Sequence, residues 1–378
     1  MKPKIFMLIA GETSGDLLAS ELVSALREKL PDAKFFGAGG PKMSAGDVDL
    51  AFDMTRHAVT GITDVLKKIL KFRELFNQLF ALAIERQPDA IIGVDYGGFN
   101  LRFGHAIKEY VRKNPGAWNP KIIQFVSPQV WASRPKRANR LEADYDLLLS
   151  IFPFEKAWYA QRVPRLRVEF VGHPMLDRTR KPEVTSRTET TAPLVLLLPG
   201  SRRSELQRHL PPMLDALKLI REKLPTAKAQ MVLPNEALLP LAKTAGALVE
   251  IQIGRLPEAL ARADVALAST GTVTMECAFF GVPTVTLYKT SGLTYQIGKR
   301  LITVTSLTMP NLLGAETVYP EFIQYDATPE NLAGAALELL QDPARREKIK
   351  AQLAKIVSSL GEPGATKNAA NAVLSLFP

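Results

Sequence analysis

Short apolar runs of four to seven residues recur along the chain. Each leads into a Gly-, Ser- or Asp-rich turn and then a segment of helical period, which predicts strands alternating with helices around parallel sheets. The predicted strands are 5–10, 90–94, 121–126, 147–150, 194–198, 230–233, 265–268 and 284–288. They fall into two groups, and the stretch between them, 178–192, is polar and rich in Thr, Arg and Lys, as a linker between separately packed sheets would be. This predicts a first domain over 1–177 and a second over 193–360. After Asp326 the pattern is helical (330–340, 344–360 and 366–376), with breaks at Asp342-Pro343 and at 361–364. The last helix, within 361–378, is placed to cross back to the first domain, and the charged run 344–355 reads as a solvated helix face.

One segment is more apolar than an ordinary helix. Ile62, Val65, Ile69, Phe72, Phe76, Leu79 and Ala83 follow three- and four-residue steps, and Leu66, Leu70, Leu75, Phe80 and Leu82 widen the stripe. Lys67, Lys68, Lys71 and Arg73 add positive charge. Two readings stay open: contact of Val65, Leu66, Ile69, Phe72 and Phe76 with a membrane or an acyl chain, or burial against a protein core.

With 378 residues, 46% of them hydrophobic, the chain can bury two cores. Cys277 is the single cysteine, so no intrachain disulfide can form, which suits a reducing, cytoplasmic compartment. The apolar run near Met1 stops at Gly11-Glu12 and reads as a first strand rather than a signal peptide. No stretch approaches the ~20 apolar residues of a membrane span, so any membrane contact is expected to be peripheral. The net charge of +10 favours phosphate-bearing ligands. Nucleic acid is not expected, because no RNA-binding aromatic motif, paired-cysteine zinc pattern or helix-turn-helix is present. His57, His105, His173 and His209 are scattered without metal-ligand spacing, and neither a metal nor a cofactor is expected. The carboxylate pairs Asp47/Asp49 and Asp144/Asp146 read as chance spacings.

In open α/β sheets ligands bind beyond the carboxyl ends of the strands, and four turns there carry candidate chemistry. Gly11-Glu12-Thr13-Ser14-Gly15-Asp16 opens a helix whose free N–H groups suit an anion, or is a plain strand-to-helix turn. Asp95 follows the 90–94 strand, where a carboxylate can take a proton from a hydroxyl, or cap a helix. Pro199-Gly200-Ser201-Arg202-Arg203-Ser204-Glu205 places arginine beside a helix start, where it can neutralise a diphosphate, or simply be solvated. Ser269-Thr270-Gly271-Thr272, with Glu276 shortly after, pairs an anion site with a carboxylate. A nucleotide sugar needs both: its diphosphate suits the helix N-terminus and its ribose hydroxyls suit the acid. The alternative is an acid that only stabilises the helix dipole.

Read in order, these turns resemble the lipid-A-disaccharide synthase family, from Gly11 to the region of Gln324. The resemblance is carried by Gly11 to Asp16, Gly37 to Met43, Pro88-Asp89 through Asp95 to Phe99-Asn100, and Val126-Ser127-Pro128 through Trp131. It continues through Pro153-Phe154-Glu155, Phe170 to Pro174, Leu198 to Glu205, Gly271 to Glu276, and Pro310-Asn311-Leu312 through Pro320-Glu321. It implies a GT-B architecture of two Rossmann-like domains facing a central cleft, with the acceptor on the first and a UDP-sugar on the second. The implied reaction is an inverting, metal-independent transfer from UDP-2,3-diacylglucosamine to 2,3-diacylglucosamine 1-phosphate, giving a β-1,6-linked disaccharide phosphate and UDP. Under the resemblance Asp95 is the general base, Ser201, Arg202, Gly271, Thr272 and Glu276 bind the donor, and Gly15, Asp16, Ser127 and Asn311 line the acceptor side or cleft. It also implies a peripheral position on the anionic cytoplasmic face of the inner membrane of a Gram-negative-type bacterium. The oligomeric state stays open.

The sequence departs from the family pattern at Gly98, in place of a second acid, at Ser133, in place of a tryptophan, at the additional Thr270, and over 60–64. Three rivals remain: another GT-B lipid-linked sugar transferase, a UDP-sugar epimerase, and a noncatalytic membrane scaffold.

Overall fold

A computed structural model describes residues 2–55, 65–116, 118–179, 192–245 and 248–377. The segment 60–64 and nearly all of the stretch read as a linker lie outside these residues, as do the side chains of Val65, Leu66 and Ile69. Two parallel sheets organise the rest. The first contains β1 (Ile5–Ala10), β2 (Lys34–Gly39), β3 (Asp49–Asp53), β4 (Ala90–Val94), β5 (Lys121–Phe125), β6 (Leu147–Ser150) and β7 (Val168–Phe170) in the order β3-β2-β1-β4-β5-β6-β7. The second contains β8 (Leu194–Leu198), β9 (Lys228–Leu233), β10 (Glu250–Ile253), β11 (Val265–Ser269), β12 (Thr284–Tyr288) and β13 (Glu321–Ile323) in the order β10-β9-β8-β11-β12-β13.

The unbroken apolar runs arise because helices cover both faces of each sheet. Along β1, Phe6, Leu8 and Ala10 enter one core while Met7 and Ile9 enter the core on the opposite face. The strands absent from the sequence reading lack such a run. β3 carries aspartates at both ends, β7 and β13 are three residues long, and β2 is interrupted by Gly37. That glycine has φ +149°, and a Cβ there would lie 1.9 Å from the Leu8 carbonyl oxygen, so only glycine lets β2 pair closely with β1.

Two compact units result: Met1–Asp177 together with Leu360–Pro378, and Arg178–Ser359. The helix Ala365–Leu374 buries Ala369, Ala370 and Val373 in the same core as Leu18 and Leu22 of the helix Thr13–Lys29. Its start is held by Asp177, whose carboxylate accepts from the N–H groups of Gly364 and Ala365.

Candidate functional site

Each strand order reverses once, between β1 and β4 in the first sheet and between β8 and β11 in the second. Such reversals open a crevice at the carboxyl ends of the strands. All four chemistry-bearing turns follow these four strands. The first unit brings Gly11 to Asp16 beside Asp95, and the second brings Pro199 to Glu205 beside Ser269 to Glu276.

In the first unit the two turns touch. A Cβ on Gly11 would lie 2.3 Å from the Tyr96 ring, and one on Gly15 would lie 3.7 Å from the Asp95 Cβ. Asp95 and Tyr96 both have left-handed backbones (φ 51° and 46°), and Val126, at the end of the neighbouring β5, has φ 66°, a rare conformation for a β-branched residue. Three such residues at adjacent strand ends mark a backbone held against its own preference, at ~1–3 kcal/mol each.

Two buried amides do the holding. Asn100 Nδ2 and Gln124 Nε2 each donate to the Asp95 carbonyl oxygen at 2.8 Å, and the Asp95 N–H donates to the Phe125 carbonyl at 2.8 Å. Gly93 makes room for both, since a Cβ there would lie 2.7 Å from Gln124 Oε1 and 2.8 Å from Asn100 Cβ. Their own amide oxygens are buried without a donor among the described residues, a further cost borne where Asp95 is positioned. The Asp95 carboxyl is held above the usual carboxylate range, chiefly by burial, then by the negative charge of Glu12, with the Tyr96 N–H pulling the other way. From sequence Glu12 and Asn100 are only members of quoted motifs with no role of their own, and Tyr96 and Gln124 carry no signal. The positive-φ geometry that makes them matter is a tertiary property.

Three expected acceptor-side residues face inward and are engaged within their own units. Asp16 is 1% exposed, and its carboxylate accepts from the N–H groups of Gly40 (2.8 Å), Lys42 (2.9 Å) and Met43 (3.0 Å), capping the short helix Pro41–Ala45. Ser127 is buried with its Oγ 3.1 Å from the Tyr159 hydroxyl. Asn311 is buried too. Its Oδ1 accepts from the Val318 and Tyr319 N–H groups, and its Nδ2 donates to Glu321 and to the Tyr319 carbonyl, so its amide shapes a loop. Below Ser127, Glu155 accepts from Trp131 Nε1 at 2.9 Å, and burial raises its pKa to about 7.

In the second unit, Gly200 (φ +123°) turns the chain so that Glu205 reaches back to it. Glu205 Oε2 accepts from the N–H groups of Ser201 and Arg202 at 2.9 and 3.2 Å, and Oε1 pairs with the Arg202 guanidinium at 3.1 Å. The loop amides are thus occupied, and Ser201 can offer a ligand only its hydroxyl. Arg202 keeps an exposed guanidinium with spare donors. His209 ties this turn to the end of β12: its Nδ1–H donates to the Pro199 carbonyl at 2.8 Å, and its Nε2 accepts the Lys289 N–H at 3.0 Å. Burial lowers the His209 pKa, which keeps the ring neutral for both contacts.

The turn after β11 is the opposite case. Thr270 extends the strand by one pairing, its N–H donating to the Leu287 carbonyl at 3.2 Å, so the additional residue lengthens the ladder instead of distorting the turn. Gly271 (φ +140°) then swings the chain into the helix Val273–Phe280. The N–H groups of Gly271, Thr272 and Val273 have no acceptor among the described residues. Such N–H groups at a helix start favour an anion. Glu276, near the start of the same helix, has no hydrogen-bond or ion-pair partner among the described residues, and burial alone raises its pKa to about 7. Its carboxyl is sheltered beside those N–H groups.

The described part of the helix Val65–Arg86 packs one face inward: Leu75, Leu79 and Ala83 are buried, Phe72 packs against the same core, and Phe76 packs edge-on to Phe99 and Phe103 at 5.5 and 5.3 Å. Phe72 and Phe76 are half-buried there, while the expectations at Val65, Leu66 and Ile69 lie outside the described side chains. Among the described residues the exposed large apolar side chains are Leu293, Ile297 and Leu301 on the helix Gly292–Leu301, which buries no residue, Ile302 next to it, and Tyr325. Gly98 stands exposed in the first turn of the helix Gly97–Lys113, with nothing within 4 Å of where a Cβ would be. Among the described residues no group of three or more His, Cys, Asp or Glu is arranged to hold a metal, and no helix is long and apolar enough to cross a membrane.

Two parallel sheets of Rossmann type, each with polar turns at its switch point, define a protein of the GT-B class. The same fold is found in the UDP-GlcNAc 2-epimerase of Neisseria meningitidis bound to UDP-GlcNAc (TM-score 0.63, 12% identity, 98% of this chain and 100% of that one). It recurs in a calicheamicin glycosyltransferase (TM-score 0.57, 14% identity, 100% of both chains). The particular family is given by sequence: the lipid-A-disaccharide synthetase model matches residues 5–376. The lipid-A-disaccharide synthase of Trichlorobacter lovleyi is 37% identical over 99% of this chain and 98% of its own, and that of Myxococcus xanthus is 34% identical over 100% and 98%. The chain belongs to the lipid-A-disaccharide synthetase family and is a glycosyltransferase.

Proposed function

We propose that the protein transfers 2,3-diacylglucosamine from its UDP donor to the 6-hydroxyl of 2,3-diacylglucosamine 1-phosphate, with inversion, giving a β-1,6-linked disaccharide phosphate and UDP. The observation that carries the reading is the pairing, within one short helix start, of three N–H groups with the sheltered carboxylate of Glu276, all without a partner among the described residues. A diphosphate needs the first and a ribose diol the second. Arg202 adds the cation that a departing UDP requires. In the first unit, Asp95 is the base: a carboxyl with a raised pKa, carried on a backbone clamped by Asn100 and Gln124, accepts the proton of the attacking hydroxyl. Gly15 leaves room beside it. A single displacement accounts for inversion, and no metal is needed for it.

Incubating the purified protein with both acylated sugars, followed by mass analysis, tests the reaction. The expected result is a disaccharide phosphate and UDP, formed only when both substrates are present. A change in the UDP-sugar without acceptor would point to the epimerase alternative and overturn the reading.

Both substrates carry acyl chains, and we assign the lipid contact to the helix Gly292–Leu301. Its Leu293, Ile297 and Leu301 recur every four residues, with Arg300 on the flank of the stripe, and residues 277 to 315 include no acid. Ten residues with nothing buried are too few to hold a helix by propensity alone, so the apolar face needs a partner. The basic flank suits an anionic lipid surface. Replacing Leu293, Ile297 and Leu301 together by Ser should release the protein from phosphatidylglycerol vesicles while UDP binding persists. Unchanged sedimentation with vesicles would remove this helix from the lipid contact.

A further inference from the structure

Four arginines meet on the first unit without an acid among them. Arg134 follows the short helix Val130–Ser133, Arg137 closes the turn Pro135–Arg137, and Arg140 stands in the helix Ala138–Asp144. Arg137 and Arg140 are three residues apart on consecutive helical turns, and Arg134 immediately precedes them. Arg102 joins them from the helix Gly97–Lys113, which packs against Ala138–Asp144. The four are close enough that Arg134, Arg102 and Arg140 each disfavour the charge on Arg137, after the larger effect of burial.

Several arginines elsewhere have acid partners: Arg86 with Asp49, Arg165 with Glu142, Arg167 with Glu169 and Arg345 with Glu338. None of the four has a carboxylate partner among the described residues, although acids lie within a few residues. Glu142 is taken by the Arg165 side chain and N–H, and Asp144 by His105 and Arg112. The local acids are engaged by other partners, and the four guanidinium groups are left without one among the described residues. Guanidinium forks that do not satisfy each other match the oxygens of a phosphate, which accepts paired N–H bonds from each. Asp95 lies two residues before the helix that carries Arg102, so the cluster and the base share one rigid element.

We propose that Arg102, Arg134, Arg137 and Arg140 form a phosphate-binding site. Two sources share this chemistry: the 1-phosphate of the acceptor, which rests on the transfer reaction proposed above, and the headgroup of an anionic phospholipid, which does not. The variant Arg137→Gln/Arg140→Gln changes two exposed side chains and should keep the fold, as a wild-type circular dichroism spectrum and thermal unfolding curve would verify. The single variants Arg137→Gln and Arg140→Gln stand in if it does not. Three readouts are compared with wild type: calorimetric binding of glucosamine 1-phosphate, the acceptor KM and kcat, and sedimentation with phosphatidylcholine vesicles with and without phosphatidylglycerol. For the acceptor source, glucosamine 1-phosphate binding weakens and the acceptor KM rises, each by about tenfold, with kcat unchanged. For the headgroup source, the phosphatidylglycerol-dependent part of vesicle binding falls by about tenfold with KM unchanged. Arg137→Lys/Arg140→Lys, which keeps charge but not the fork, should recover part of the loss. Phosphate binding, KM and vesicle sedimentation all unchanged in a variant that keeps the fold would overturn the site. Absence of transfer in the wild-type protein would instead defeat the proposed reaction and leave the binding readouts to judge the site.

Discussion

Asp95→Asn is expected to lower kcat by about 10²–10⁴-fold while UDP affinity stays at the wild-type level. The amide keeps the size of the side chain and cannot accept the acceptor's proton at neutral pH. Because Asp95 belongs to the first unit and the proposed donor site to the second, donor binding is a clean control. Turnover near the wild-type rate would remove Asp95 as the base. The raised pKa also predicts the pH dependence: the base works when ionised, so the rate should rise with pH through a value above the ordinary range of an aspartate. Part of that elevation comes from the negative charge of Glu12. Glu12→Gln should therefore move the acid limb of the kcat profile to lower pH, and a limb that stays in place would show that Glu12 does not act on the reacting form.

Glu276→Gln is expected to weaken UDP binding by about 10- to 100-fold, the cost of losing hydrogen bonds to a charged acceptor. Ribose hydroxyls donate to the ionised carboxylate, whose pKa of about 7 in the free protein is set by burial. UDP affinity should accordingly fall as the pH drops below about 7, and the Gln variant should lose most of that dependence. The sign for stability is the reverse. A carboxyl whose folded pKa exceeds its unfolded value favours the folded state most at low pH, and that contribution is lost as pH rises from the ordinary glutamate range toward 7. Above that pH Glu276→Gln should make the free protein more stable by about 2 kcal/mol while making it a poorer donor binder. Equal UDP affinity in both forms across the pH range would place the ribose elsewhere. Arg202→Ala separates the other half of the donor site. It should lower kcat by about 10²-fold with a smaller effect on UDP affinity, because its exposed guanidinium is asked chiefly to stabilise charge that develops as UDP leaves. A loss confined to affinity would make it a binding residue only.

Much of the proposed donor site is written locally in the chain. A strand run, a glycine and a helix-period segment are local signals, so the turns after β8 and β11 could be named with Arg202, Gly271 and Glu276 in them. Asp95 was legible for the same reason, as the first polar residue past an apolar strand. Asp16, Ser127 and Asn311 were less legible, because a polar residue in a turn looks the same whether it faces a ligand or caps its neighbours. Only the positions of Gly40, Tyr159 and Val318 reveal the internal contacts. Phe76 is the matching case, since a wide apolar stripe does not say whether protein or lipid covers it.

By itself the sequence determined the α/β class, the central strands of both sheets and the family, because apolar runs buried on two faces and glycines at turns are written locally. Tertiary structure alone decided the rest. Sheet order put β1 beside β4 and β8 beside β11, so that turns some 80 residues apart in one unit and 70 in the other meet at a switch point. The same packing set the left-handed backbone at Asp95, the burial that lifts Glu276, and the gathering of four arginines from separate elements. These properties depend on distance through space and on exclusion of water, and neither is carried by any single stretch of chain.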